Sequence, residues 1–311
     1  MKFKEGEVLY FNKPLGWTSF KVVGHARYHI CRRMKVKKLK VGHAGTLDPL
    51  ATGVMIVCTG KATKRIEEFQ YHTKEYVATI QLGATTPSYD LEHEIDATYP
   101  TEHITRELVE ETLKTFIGEI QQVPPAFSAC MVNGKRAYDL ARKGEEVELK
   151  PKLLVIDEIE LLECNLPEIK IRVVCSKGTY IRALARDIGE ALNSGAHLTA
   201  LERTRVGDVR LEDCLDPMDF KEWIDAKEIE TEEQTEPEAQ NTPTQEEIIT
   251  ESATETEAEL ESEATSLIEE SEELEVLSEV QTYAMPTEEQ NKELADKVEE
   301  IIQYLNLDGK A

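Results

Sequence analysis

Charge divides this 311-residue chain into two unequal parts, and that division limits where a fold can form. Residues 231–311 hold 25 carboxylates and three lysines, whereas residues 1–230 hold 36 carboxylates and 33 Lys or Arg. From Glu230 to about Pro286 the residues are mainly Glu, Thr, Ser, Pro and Gln, with few aromatics. Such a composition cannot bury enough apolar surface to offset the entropy of ordering the chain. The fold is therefore expected within residues 1–229, with 230–287 a disordered acidic tail. Leu294, Val298, Ile301, Ile302 and Leu305 recur at helical spacing, so 288–311 is read as carrying a short helix.

The net charge of −25 would argue against a nucleic-acid partner if it were spread evenly, but it sits in the tail. Between Phe11 and Leu47 there is no carboxylate at all. Lys21, Arg27, Arg32, Arg33, Lys35, Lys37, Lys38 and Lys40 crowd that stretch. A solvated helix face and a phosphate-facing surface both fit it. The start MKFKEGEVLY has neither the apolar stretch nor the cleavage site of a secretory leader. No run approaches the ~18 apolar residues of a membrane span, so the expectation is a cytoplasmic chain with no membrane partner. Six cysteines lie scattered without a CxxC pair, and seven histidines form no HExxH or HxH pattern, so no metal is expected. Neither GxGxxG nor GxxxxGK[ST] occurs, which argues against a nucleotide cofactor.

Residues 8–11 read as a strand, and Asn12-Lys13-Pro14-Leu15-Gly16 as a turn. Thr18 or Ser19 then caps a helix in which Phe20, Val23, Ile30 and Met34 recur at helical spacing. Residues 41–53, VGHAGTLDPLATG, are too rich in glycine for a helix and too broken for a strand. They read as a shaped loop feeding a buried strand at Val54–Cys58. Tyr76, Ala78, Ile80 and Leu82 alternate on one face of a second strand. Thr105 caps a helix through Val109, Leu113 and Phe116 that Gly118 ends. Residues 121–144 form a long excursion with a short helix. Residues 153–161 and 169–175 are strands, and the latter runs through Ser176-Lys177-Gly178 into a helix at 179–193. A short strand after Gly207 and a helix near 217–226 close the fold. Few strands feed helices, which favours α+β over a doubly wound parallel sheet.

Two places invite chemistry. Asp48 sits in Gly45-Thr46-Leu47-Asp48-Pro49-Leu50-Ala51-Thr52-Gly53, with a stiff Pro after it and glycines on both sides. Such a loop can present a carboxylate to a substrate, although Asp-Pro is also an ordinary turn pair. No second carboxylate lies near in sequence, so a glycosidase-like pair is not suggested. A lone carboxylate would act as nucleophile or base beside a cation. Tyr180 and Arg182 lie at a strand-to-helix corner, where functional side chains and ordinary surface pairs both occur.

GHAGTLDPLATGVM, KEYVATIQLG, QVPPAFSA, GKRAYDLARKG, CSKGTYIRALARDIG and GAHLTALERTRVG, in that order, resemble the blocks of the bacterial tRNA pseudouridine-55 synthases, the TruB family. Asn12-Lys13-Pro14-Leu15-Gly16-Trp17-Thr18-Ser19 is similar to the family's first motif, and the resemblance covers roughly residues 8–220. It implies the pseudouridine synthase catalytic fold over 1–229: a curved mixed, largely antiparallel sheet flanked by helices with a central cleft. It also implies isomerisation of a T-loop uridine of tRNA after base flipping, without metal or organic cofactor. Asp48 would be nucleophile or base. Tyr76 would stack on the flipped base and help proton transfer at C5. Arg182 would pair with Asp48 and keep it charged, with Tyr180 packed near it. Leu201 would lie beneath the base and His43 beside the flipped nucleotide.

The implied RNA surface is the basic run 21–40, including Lys21, with Lys61, Lys64 and Arg65. The excursion 121–144 would close over the T arm with Lys135, Arg136, Arg142 and Lys143. Ser128-Ala129-Cys130-Met131 departs from the family, which often has a lysine after Ser-Ala-x. A C-terminal RNA-binding module carried by many members is replaced by the acidic tail. A monomer with no obligate protein partner is expected. Two alternatives keep the sequence blocks: a guide-RNA-dependent synthase, and a non-catalytic tRNA-folding chaperone.

Overall fold

The computed structural model describes residues 1–229 apart from 129, 133 and 145–148. The expected tail at 230–287 and helix at 288–311 lie outside the described residues. In chain order the elements are β1 (Val8–Lys13), α1 (Ser19–Met34), β2 (Val41–His43), β3 (Ala51–Thr59), α2 (Ile66–Tyr71), β4 (Lys74–Leu82), β5 (Ala84–Thr85), β6 (Ala97–Thr98), α3 (Arg106–Lys114) and β7 (Gly118–Gln122). Then follow β8 (Met131–Val132), β9 (Lys135–Arg136), α4 (Ala137–Arg142), β10 (Lys152–Asn165), β11 (Glu168–Cys175), α5 (Ile181–Ala191), β12 (Ala196–Val206), β13 (Val209–Arg210) and α6 (Phe220–Asp225).

One large sheet runs β1-β3-β12-β4-β11-β10-β7, with β2 beside β3 and β13 beside β12. Its pairs are antiparallel except for β12 against β3. This is the mixed α+β architecture expected from the order of elements. β4 alternates as its sequence does: Lys74, Tyr76, Ala78, Ile80 and Leu82 are buried, and the residues between them are half-exposed. The buried face packs with Val109 and Leu113 of α3 and with Ile181, Leu184, Ala185 and Ile188 of α5. The opposite face stays polar: Arg172 there binds Glu75, Glu158 and Glu160. An antiparallel sheet tolerates one solvated face.

β3 reads as a continuous apolar run because both its faces are covered. Met55 and Val57 meet α1 and α6, whereas Val54, Ile56 and Cys58 meet Ala62, Phe69 and Val206. Thr18 caps α1 by accepting from the Lys21 amide at 3.1 Å, an interaction worth about 1 kcal/mol.

Several boundaries differ from the sequence reading. The helix face of α1 is Val22, Val23, Ala26, Ile30 and Met34, while Phe20 is 67% exposed. The loop at 41–53 gives its ends to β2 and β3. α3 stops at Lys114, and Gly118 opens β7, because Gly118 to Gln122 complete the ladder beside β10. The helix expected from Thr179 starts at Ile181, with Tyr180 as its N-cap. The largest omission is β12, an eleven-residue central strand. Register shifts near Ala200 and Arg205 break its alternation, so the period-2 signal is lost in the sequence. The excursion after β7 does not simply project: Phe127 and Cys130 contact α5 residues or their cap.

Candidate active site

The loop that carries Asp48 lies between β2 and β3 and is held from three sides. Ser19 at the start of α1 bonds both ways to Leu47: its Oγ accepts from the amide at 2.9 Å and donates to the carbonyl at 3.1 Å. Gly16 N–H donates to Pro49 O at 2.9 Å, and the buried Lys13 ammonium donates to the carbonyls of Pro14, Trp17 and Pro49. Ala51 N–H closes a turn onto Asp48 O at 3.0 Å. From below, Arg203 of β12 donates through Nε to Val54 O at 2.7 Å and through Nη2 to Gly45 O at 3.2 Å. These bonds leave Asp48 little freedom.

The α5 corner brings the opposing charge. Arg182 Nε lies 2.9 Å from Asp48 Oδ2. Its Nη1 is 3.4 Å from Asp90 Oδ2 and donates to Ser88 O at 3.1 Å, while Nη2 donates to Phe127 O at 2.9 Å. The Arg182 side chain is only 6% exposed, yet that of Asp48 keeps 40% of its surface open. A fixed, buried guanidinium thus presents one edge to a carboxylate that a ligand can still reach. Between Ser88 and Asp90, Tyr89 adopts φ +59°, a left-handed conformation that turns both neighbours towards Arg182.

Burial raises the Asp48 carboxyl above its ordinary value of 3.8; Arg182 and Lys13 oppose that rise, and Asp90 and Glu92 add to it. Arg182 thus acts against the effect of burial on Asp48, and the net direction remains upward. Lys13 itself is lowered to about 8, chiefly by burial, with the Asp48 charge opposing. His43 is lowered by burial and by the Arg203 charge, and its ring makes an edge-on contact with exposed Phe20 at 6.0 Å.

Tyr76 and Leu201 complete the floor. Tyr76 of β4 is opposite Arg203 of β12, and Leu201 is opposite Ala51 on one side and Ala78 on the other. Cross-strand partners share a sheet face, so Tyr76, Leu201 and Arg203 look the same way. Burial raises the Tyr76 hydroxyl; Arg203 opposes, and Asp48 adds to the rise. The Tyr180 hydroxyl lies 3.3 Å from Cys130 Sγ, and its amide donates to Gln122 Oε1 at 2.9 Å.

The structure thus brings Asp48 and Arg182 into contact and places Tyr76 within electrostatic reach of Asp48. The basic residues are dispersed by comparison. Lys21 lies over the Trp17 ring, and Lys64, Lys135 and Arg136 are exposed. Arg142 is also exposed and approaches Glu92 at 3.8 Å. Three polar residues of the site escaped sequence reasoning. Lys13 was absorbed into a turn, Asp90 lies in a segment without periodicity, and Arg203 belongs to the unforeseen β12. The nearest available signal was a charged residue inside an otherwise apolar or tightly turned stretch.

Two family models meet inside this site. Residues 32–181 match the model described as TruB family pseudouridylate synthase (N terminal domain). Residues 182–239 match tRNA pseudouridylate synthase B C-terminal domain. A tRNA pseudouridine synthase B of Bacteroides fragilis is 91% identical over 230 residues, which is 99% of its length and 74% of this chain. The chain belongs to the TruB family. The seam between the two matches falls at Arg182, so one match supplies Asp48 and the other its cation, while one continuous sheet takes strands from both.

A Bacteroides thetaiotaomicron relative of the same name is 85% identical over 236 residues, 98% of its length and 75% of this chain. One from Flavobacterium johnsoniae is 53% identical over 222 residues, 97% of its length and 71% of this chain. Among solved structures, a chain from a Cbf5-Nop10-Gar1 complex aligns at TM-score 0.53 and 29% identity, over 71% of this chain and 55% of that one. A chain of an H/ACA RNP bound to a substrate RNA gives TM-score 0.51 and 28% identity, over 71% of this chain. This chain spans about half the length of either of those. Among the described residues, no helix is long and apolar enough to cross a membrane.

Proposed function

We propose that this chain converts a T-loop uridine of tRNA, position 55, into pseudouridine, with residues 1–229 as the catalytic domain. The observation that carries the reading is the Asp48–Arg182 pair at 2.9 Å, a reachable carboxylate against a buried and fully braced guanidinium. A uridine inside a structured loop must leave its stack before its glycosidic bond can be reached. Asp48 then either attacks C1′ or removes the 2′ proton. In both routes the C1′–N1 electron pair leaves with N1. The freed base turns over the sheet face that Tyr76 and the apolar Leu201 share, its C5 bonds to C1′, and the carboxylate is released or the 2′ proton returned. The C5 proton passes to water or through Tyr76 to the N1 side of the base. Atoms balance between substrate and product, because the reaction is an isomerisation.

His43 and Tyr180 border the flipped nucleotide. Lys21, Lys64, Lys135, Arg136 and Arg142 meet phosphates, giving recognition by shape and backbone with the base read in the pocket. The chain acts as a cytoplasmic monomer on free tRNA, without a protein partner or guide.

Asp48→Asn tests the reading. Turnover should disappear while binding of an unmodified T-arm transcript persists, because phosphate contacts lie elsewhere. Substantial product by carbodiimide mapping would remove Asp48 from the chemistry. Product formed only when a guide RNA is added would favour the guide-dependent alternative. Improved tRNA folding without any pseudouridine would favour the chaperone.

A further inference from the structure

Arg203 is among the largest fully buried side chains of the molecule. Among the described residues no carboxylate lies within ion-pair distance of it, although a buried guanidinium ordinarily demands one. Its hydrogen bonds go instead to Gly45 O, at the start of the loop that carries Asp48, and to Val54 O, in the strand β3 that follows the loop. Tyr76 sits directly across the strand pair from it, on the same face of the sheet, and the Arg203 charge acts on its hydroxyl. The rung Gly53–Arg203–Tyr76–Val173 therefore crosses four strands at the centre of the sheet. A Cβ on Gly53 would fall 2.3 Å from Arg203 O, so the loop strand approaches Arg203 as closely as glycine permits. Such a residue is more than packing. An apolar side chain would fill the volume without burying an unpaired charge.

We propose that Arg203 is a positioning residue for both reacting groups: one guanidinium ties the start of the Asp48 loop to the strand that follows it and holds the Tyr76 hydroxyl beside them. Carboxylate and phenol then keep a fixed spacing across the turning base. The proposal rests on the roles given above to Asp48 and Tyr76. It accounts for the absence of a carboxylate partner, because a counter-ion would compete with the carbonyls and the phenol for the same N–H groups. The Arg203 charge also bears on its surroundings: it lowers His43 and opposes the rise that burial gives the Tyr76 hydroxyl.

The test is a double-mutant cycle on the full chain, read by single-turnover rate on a T-arm transcript and by transcript affinity. Arg203→Lys keeps the charge and one carbonyl bond but loses the fork. It should slow the chemical step about 30-fold while affinity changes less than about threefold, since no phosphate contact is touched. In a Tyr76→Phe background the same change should cost less, about tenfold or below, because the share that acts through the hydroxyl is already gone while the share that acts through the Asp48 loop remains. Equal losses in both backgrounds, with Tyr76→Phe itself impaired, overturn this proposal and leave the role of Tyr76 standing. A Tyr76→Phe chain with the wild-type rate overturns the reading of Tyr76 and this proposal with it. Should Arg203→Lys fail to fold, the guanidinium N–H resonances of Arg203 in Tyr76→Phe give a second readout. A shift relative to wild type supports the pairing, and unchanged resonances overturn it.

Discussion

Replacing Arg182 by Met separates the stabilising from the catalytic work of one side chain. The guanidinium binds two carboxylates of unequal exposure: the Asp48 side chain is 40% exposed, that of Asp90 only 3%. When the cation is removed, water reaches Asp48 more readily than Asp90, although both carry a burial penalty. Leaving a buried carboxylate unpaired costs about 3–5 kcal/mol, and the stability loss should fall in that range. The larger share of that penalty belongs to Asp90. Adding Asp90→Asn to Arg182→Met should therefore recover more than about 1 kcal/mol, whereas adding Asp48→Asn should recover less. Neither double variant regains activity, because the cation beside Asp48 is gone; single-turnover rate should fall by about 100-fold or more in each. Urea unfolding of the full chain, with slopes compared to confirm the same transition, gives the stabilities. Recovery by Asp48→Asn equal to that by Asp90→Asn would refute the division of labour, as would a loss below about 1 kcal/mol for Arg182→Met.

Other perturbations follow from the same geometry. Lys13 titrates at about 8 in the folded chain and at 10.5 in the reference state, so between those values the folded state holds fewer protons and stability rises with pH. The wild-type chain should gain about 2 kcal/mol relative to Lys13→Met between pH 8 and pH 10, measured by urea unfolding at each pH. Burial and the charges of Asp90 and Glu92 raise the Asp48 carboxyl, so Glu92→Gln should shift the acid limb of the single-turnover pH profile downward and Lys13→Met should shift it upward. Gly53→Ala should destabilise by roughly 3 kcal/mol or more, because φ is +103° and the new methyl meets Arg203 backbone at 2.3 Å; thermal unfolding checks it. Joint replacement of Lys135 and Arg136 by Ala should lower the slope of log affinity against log salt by roughly 1 for each phosphate these side chains neutralise, without slowing the chemical step.

Local chemistry made much of this molecule legible from its sequence. Thr18 and Thr105 are caps in the structure because their hydroxyls have an amide within reach in the first turn, a relation that spans three residues. β4 shows its period because one face is buried and the other solvated. The glycines and proline around Asp48 mark a shaped loop on backbone grounds alone, and the family blocks pointed to its partner Arg182. β12 was illegible for the opposite reason. Its bulges scramble the alternation, and its identity as a strand comes from neighbours on both sides rather than from its own residues.

The sequence by itself therefore determined the class of the fold and the carboxylate and cation at its centre. Those features follow from composition, from short-range backbone preference and from motifs contiguous in the chain. Only the tertiary structure decided what fixes the two charges. Asp90, Lys13 and Arg203 converge on them from a strained turn, a strand end and a central strand that lie far apart in sequence. Only tertiary structure, too, set the direction in which Asp48 is perturbed. Burial there depends on how much of the fold surrounds the loop, a quantity that no stretch of residues carries on its own.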